Sequence, residues 1–228
     1  MLADLAWLSL EVLSVDRAKE FYEETFDLVG ELRDDSVAFS VGEHELRLVE
    51  PGPVPRGGLH VHFAMATPPA AYDAWVSRLE RDHDVEEHSF GSSQSVYLFD
   101  PDGHCVEIGS VGDAGADQRL TGIFEVVLEV EDLERAETFY SRLDFSVVDR
   151  GETRRRVRMT GPVDLEIWEP QRGLADARGG VHVDVGFAAT DVEAVRTAIT
   201  GAADVTDVAE GVRVRDPDGH YLTITPLV

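Results

Sequence analysis

Two side chains are nearly missing from this 228-residue chain, which has one cysteine, Cys105, and one lysine, Lys19. A lone cysteine closes no internal disulfide, which excludes a disulfide-stapled secreted scaffold and points to a reducing, cytoplasmic setting. Long apolar runs are missing too: nothing approaches the ~18 residues that a membrane span needs. The opening Met1-Leu2-Ala3-Asp4 lacks the basic segment of a signal peptide. Positive charge is scarce, with 20 basic residues against 45 acidic ones and a formal net charge of −25. So negative a surface repels phosphate backbones and anionic lipid, leaving small molecules rather than nucleic acid or membrane as partners. Acid spread along the whole chain, with arginine in place of lysine, is the pattern expected of a protein from a high-salt cytoplasm.

What is present is enough for a core. Hydrophobic residues make up 43% and aromatic residues 8%, too much apolar content for a disordered chain. The length fits one large domain or two small ones.

The sequence repeats. Val12 to Tyr22 (VLSVDRAKEFY) and Val130 to Tyr140 (VEDLERAETFY) share Val, Arg, Ala, Phe and Tyr at a constant offset of 118. Glu50-Pro51 returns as Glu169-Pro170, and Gly57-Gly58 before His60 returns as Gly179-Gly180 before His182. Asp100-Pro101-Asp102-Gly103-His104 returns intact as Asp216 to His220. Two copies are therefore expected, 1–110 and 121–228, joined by a Gly/Ala/Asp-rich linker over 111–120. Each copy divides again. A strand over Leu5 to Val12 leads to a helix that Ser14 can cap, with Ala18, Phe21, Tyr22 and Phe26 on one face, and then to three short strands ending near Glu50. The second unit starts at Leu59, opens its helix at Thr67-Pro68 and places Tyr72 and Trp75 on one helical face. Its strands fall around Val85 to Phe90, Gln94 to Phe99 and His104 to Gly109. The third runs from Gly122 to Pro170; the fourth, from Val181 to Pro226, offers a capping box of Thr190 and Glu193.

Four βαβββ units, a Phe-Tyr pair on the first helix of each half and DPDGH before each final strand resemble the vicinal oxygen chelate superfamily. It contains glyoxalase I, bleomycin and fosfomycin resistance proteins and extradiol dioxygenases. The resemblance covers essentially the whole chain. It implies an α+β fold in which four tandem βαβββ units form two cup-shaped half-barrel sheets with helices outside, and ligands that project into the cups from the first and last strands of each unit.

Carried onto this sequence, the ligand positions are Trp7 and Arg47 in the first unit, Glu125 and Glu166 in the third, Glu107 in the second and Thr223 in the fourth. On the opening strand of the second unit either His60 or His62 fits, and in the fourth His182 or Asp184, because a two-residue slip keeps the same strand face. The good ligands thus belong to units two and three. Since the family pairs its units in two ways, this distribution favours pairing two with three and one with four, which gives one competent cup and one degenerate cup. Carboxylates with one or two imidazoles suit a divalent ion such as manganese, iron(II), nickel or zinc. His60 and His62, roughly 6.6 Å apart on one strand face, could clamp it together. Three buried carboxylates without a cation would repel one another.

The expected activity is that of a metal-dependent, glyoxalase-like lyase or isomerase acting on a small molecule with neighbouring oxygens. In this reading His60 or His62, Glu125 and Glu166 hold the metal and Glu107 removes a proton beside a carbonyl, the ion stabilising the enediolate. One alternative is an extradiol dioxygenase, whose ligands would be Glu125, His182 or Asp184, and Thr223. The other is a metal-free binding or resistance protein. His104 and His220 read as turn residues, and the run Arg154-Arg155-Arg156-Arg158 as a hairpin screened by acid, its lesser reading being attraction of an anionic substrate. Four units can close two cups within one chain, so a monomer or a homodimer is expected.

Overall fold

The computed structural model describes residues 2–51, 61–112, 119–153, 155–170, 183–201 and 203–227. The first unit comprises β1 (Leu2–Glu11), α1 (Val15–Phe26), β2 (Gly30–Leu32), β3 (Ser36–Val41) and β4 (His44–Val49). The second comprises β5 (Val61–Thr67), a short 3-10 turn (Pro69–Ala71) running into α2 (Tyr72–Leu79), β6 (Glu86–Phe90), β7 (Ser93–Phe99) and β8 (Cys105–Ser110). The third follows as β9 (Gly122–Glu129), α3 (Leu133–Ser141), β10 (Ser146–Arg150), β11 (Arg156–Thr160) and β12 (Asp164–Trp168). The fourth holds β13 (Val183–Ala189), α4 (Val192–Ala198), β14 (Asp204–Val208), β15 (Gly211–Arg215) and β16 (Tyr221–Pro226). Residues 113–118 of the expected linker lie outside the described residues. None of the described helices is long and apolar enough to cross a membrane.

The strands form two eight-stranded sheets, one ordered β14-β15-β16-β13-β1-β4-β3-β2 and the other β10-β11-β12-β9-β5-β8-β7-β6. The first and fourth units therefore share one sheet and the second and third share the other, the pairing that the distribution of ligands favours. The seams are antiparallel, β1 against β13 and β5 against β9. Each sheet has one face in the core. In β9 Val126 and Leu128 join the core cluster, so by strand alternation Glu125, Val127 and Glu129 belong to the opposite face. β1 follows the same rule, with Leu8 and Leu10 in the core and Trp7 and Ser9 on the other side.

Helix ends follow local chemistry. The Ser14 hydroxyl accepts from Arg17 N–H at 3.3 Å, and Asp132 does the same for Arg135 at 3.0 Å. α4 corrects the sequence reading: its N-cap is Asp191 rather than Thr190, and the Asp191 carboxylate accepts from Ala194 N–H at 2.9 Å. Asp191 is the stronger N-cap type, and starting the helix one residue later moves Glu193 off the capping-box position.

The repeated motifs bolt the two sheets together. Tyr22 on α1, which packs on β3 and β4, donates to Asp100 Oδ2 at 3.1 Å in the turn between β7 and β8 of the other sheet. Reciprocally, Tyr140 on α3 donates to Asp216 Oδ2 at 2.8 Å. Within each turn the first aspartate also binds the histidine ring, His104 at 2.8 Å and His220 at 2.9 Å. Burial alone would raise these carboxyls, but the imidazole and the turn's N–H groups hold both Asp100 and Asp216 below the ordinary range. The second aspartate reaches the other way, with Asp102 accepting from Arg17 at 2.6 Å and Asp218 from Arg135 at 2.9 Å. His104 and His220 are thus members of a tertiary lock.

Candidate metal centre

The cup of the second and third units is built from the strands flanking the β5–β9 seam. Register places Ala64 between Glu107 on β8 and Glu125 on β9, and His62 between Cys105 and Val127. Ala64 carries only a methyl group, so it leaves room between the two glutamates. Donor atoms of His62, Glu107 and Glu125, all buried, lie within 4.8 Å of one another. Among the described residues this is the one such group. His62 is the histidine that the strand turns toward the carboxylates, while His60, like His182, lies outside the described residues.

The members of the group are held differently. His62 Nε2 is 2.9 Å from Glu107 Oε2, and its ring packs edge-on against Tyr97 and Trp168. Desolvation would raise the Glu107 carboxyl, but hydrogen bonds from His62, Ser95 and Tyr97 bring it below its usual value. Glu125 has no such set of donors. Desolvation first, then the charges of Glu166 and Glu107, push its carboxyl up to about 8. Burial and the Glu107 charge raise the Tyr97 hydroxyl, which stays a donor.

Glu166 stands outside the three-membered group. Its Oε2 accepts from Trp168 Nε1 at 2.8 Å, and its Oε1 is 3.2 Å from Arg156 Nη1. Glu125 meets Arg158, whose Nη2 is 3.0 Å from Glu125 Oε2 and 2.8 Å from Asp164 Oδ2. Arg154 lies outside the described residues; Arg155 pairs with Glu169 and is largely exposed, whereas Arg156 and Arg158 turn to the carboxylates. The sequence assigns Ser95 and Tyr97 no role at the site, and it offers the arginines one only in the lesser reading, attraction of an anionic substrate. The period of two along β11, with Arg156 and Arg158 on one face, was the available signal.

A divalent cation suits the donors. The group offers one imidazole and two carboxylates, His62 Nδ1 is buried without a partner, and the Glu125 carboxyl is destabilised by neighbouring negative charge. These are the features of a hard-to-borderline cation site lacking thiolate.

The other cup places different chemistry at the same register. Gly186 stands between Thr223 and Trp7 as Ala64 stands between Glu107 and Glu125. A Cβ on Gly186 would come within 2.1 Å of the Trp7 ring, so the indole fills the place of a ligand. Arg47 lies over that ring at 3.9 Å, and Asp184 is taken by Thr223 at 2.8 Å and Arg213 at 2.9 Å. This topology also corrects the ring-cleavage ligand set: Glu125 is in one sheet and Asp184 and Thr223 in the other, so the three do not converge.

Comparison with known proteins agrees with the architecture. Residues 5–108 match the Glyoxalase/Bleomycin resistance protein/Dioxygenase superfamily. That match places residues 5–108, the first two units, in the superfamily. A provisionally assigned dioxygenase from Bacillus subtilis superposes with a TM-score of 0.77 at 16% identity, over 99% of this chain and 85% of that one. Glyoxalase I from Zea mays superposes with a TM-score of 0.70 at 18% identity, over 98% of this chain and 92% of that one. At these identities the likeness shows the fold alone. No curated protein matches the chain.

Proposed function

We propose that the chain is a metal-dependent, glyoxalase-like lyase or isomerase acting on a small molecule with neighbouring oxygens. The observation that carries this reading is the buried His62–Glu107–Glu125 group at the seam of one cup. These three side chains would hold the cation, with Glu166 as a fourth candidate whose present partners are Trp168 and Arg156. A divalent ion bound there would supply a Lewis acid to a pair of substrate oxygens.

The chain's own residues divide the remaining work. Glu107, kept ionised by three donors, is a fixed acceptor and a poor base. Glu107 is pinned by the His62 ring at 2.9 Å, whereas among the described residues Glu125 meets only the partly exposed Arg158, so of the two carboxylates Glu125 is freer to swing to a substrate proton, and the role of base moves from Glu107 to Glu125. Tyr97 and Trp168 wall the site by packing edge-on against the His62 ring. In D2O, exchange of the hydrogen beside the carbonyl is measured by NMR for α-hydroxy ketones and for thiol adducts of α-oxo aldehydes. Exchange should require added Mn(II), Ni(II) or Zn(II) and fall at least about a hundredfold in Glu125→Gln. Equal exchange in the variant would remove Glu125 from the chemistry.

A metal-free binding module is the second reading, favoured by one contact: the Arg158 guanidinium already gives Glu125 a positive neighbour. Protein purified without chelator and free of stoichiometric metal would make it the better account.

A further inference from the structure

We infer that Arg158 is a resident counter-cation that gives up Glu125 when a divalent ion enters and then anchors a carboxylate carried by the substrate. This rests on reading His62, Glu107 and Glu125 as the cation site, and it names the substrate class: a molecule with two neighbouring oxygens and a separate carboxylate.

One nitrogen, Nη2, serves both of Arg158's partners, Glu125 at 3.0 Å and Asp164 at 2.8 Å. Its Nε and Nη1 have no partner among the described residues, and the side chain is 35% exposed, so half of the fork is open. A divalent ion on Glu125 would place two cations within a few ångströms of one another in a partly buried site, where like charges repel strongly. Asp164 lies beside Glu125 in register but outside the donor group, so it can keep the arginine when Glu125 turns to the ion. The guanidinium would then be held from one side with its planar donors free on the other, and that shape suits bidentate binding of a carboxylate.

Arg156 adds to the same face. It is two residues away on β11, its Nη2 pairs with Asp149 at 2.7 Å, and its Nη1 is buried without a hydrogen-bond partner, 3.2 Å from Glu166. The two guanidiniums stand among four carboxylates, those of Glu125, Asp164, Glu166 and Asp149, so the spot would accept an anion only once that negative charge is offset, as a divalent ion does.

The test uses two matched probes, catechol and 3,4-dihydroxybenzoate, titrated calorimetrically into Zn(II)-loaded full-length protein. Both present neighbouring oxygens; only the second carries the separate carboxylate. Wild type should prefer the benzoate by about tenfold or more. Arg158→Met should lose that preference, keep its catechol affinity and bind Zn(II) at least as tightly as wild type, whereas Arg158→Lys should keep part of the preference. A full preference in Arg158→Met, or a loss of Zn(II) binding there, overturns the inference. If wild type takes up no Zn(II), the cation reading itself fails. A metal-free arm tests Arg158 separately: Glu125→Ala, which takes away the guanidinium's partner at any pH, should bind 3,4-dihydroxybenzoate more tightly than metal-free wild type, and equal affinities would overturn the anchoring role alone.

Discussion

Where the cup of the second and third units carries His62, Glu107, Glu125 and Glu166, the cup of the first and fourth carries Asp184, Thr223, Trp7 and Arg47 at the same register. Strand order, seam and bolts are shared, so these side chains account for the difference in chemistry. In one cup the carboxylates outnumber their cations and Glu125 is left poorly compensated. In the other, the acid is matched locally: Asp184 has Thr223 and Arg213, while the Glu45 carboxylate pairs with Arg33 at 2.8 Å and with Arg47. A duplicated fold can therefore keep its frame while one copy exchanges a metal-binding donor set for an indole, a guanidinium and closed ion pairs.

The sharpest way to break the comparison is to transplant it. Trp7→Glu, Arg47→Glu, Asp184→His and Thr223→Glu made together should add a second equivalent of bound metal per chain, read by elemental analysis after dialysis. A folded variant that gains none would show that the difference lies outside these four positions.

The bolts should behave alike in both halves and be costly to cut. Asp216→Asn leaves His220 and Tyr140 without their acceptor and should lower the unfolding free energy by about 3–5 kcal/mol, measured by denaturant titration. Its pH signature follows from two shifts. His220 is raised from 6.5, burial opposing and Asp216 prevailing, so its contribution is complete below 6.5 and is lost as pH rises through the raised value. Asp216 is lowered from 3.8, so its contribution is present above 3.8 and is lost as pH falls through the depressed value. Wild-type stability should thus decline on the alkaline side of His220's titration, and Asp216→Asn should flatten that decline.

A smaller effect separates the centres of the cups. Gly186→Ala drives a methyl group into the Trp7 ring and should cost about 1–3 kcal/mol. At the matching position Ala64→Gly should cost about 0.5–1 kcal/mol, because it loosens a strand without relieving a clash. Equal costs would mean that Trp7 yields freely.

The smallest expected signal is a proton. With its carboxyl near 8, against an ordinary 4.5, Glu125 is protonated in the folded protein at neutral pH, and a cation binding there must displace that proton. Metal affinity should rise with pH up to about 8 and then level off, with about one proton released per ion at pH 7 in calorimetry across buffers of different ionisation enthalpy. For the same reason the metal-free protein should lose stability as pH climbs from 4.5 through 8.

Much of this frame is legible in the sequence because it is written twice. VLSVDRAKEFY against VEDLERAETFY marks the repeat, and the restriction of good ligands to units two and three points to the unit pairing before any strand is placed. The lock between the Phe-Tyr pair and DPDGH is not legible from either motif, since its partners sit 78 and 76 residues apart on different sheets. The choice between His60 and His62 cannot be read from a pattern of period two, because both fall on one face. Arg158 reads as part of a screened run because its partner is fixed by strand pairing across β11, β12 and β9, which no local pattern reports. The α4 cap is ambiguous in the sequence because two adjacent N-cap residues, Thr190 and Asp191, compete.

The claim that one cup binds a cation and the other does not is tested most directly by metal stoichiometry in wild type, His62→Ala and Trp7→Ala after saturation with Mn(II) and gel filtration. One equivalent is expected in wild type, none in His62→Ala and one in Trp7→Ala. Two equivalents or none in wild type, or full occupancy in His62→Ala, would contradict it.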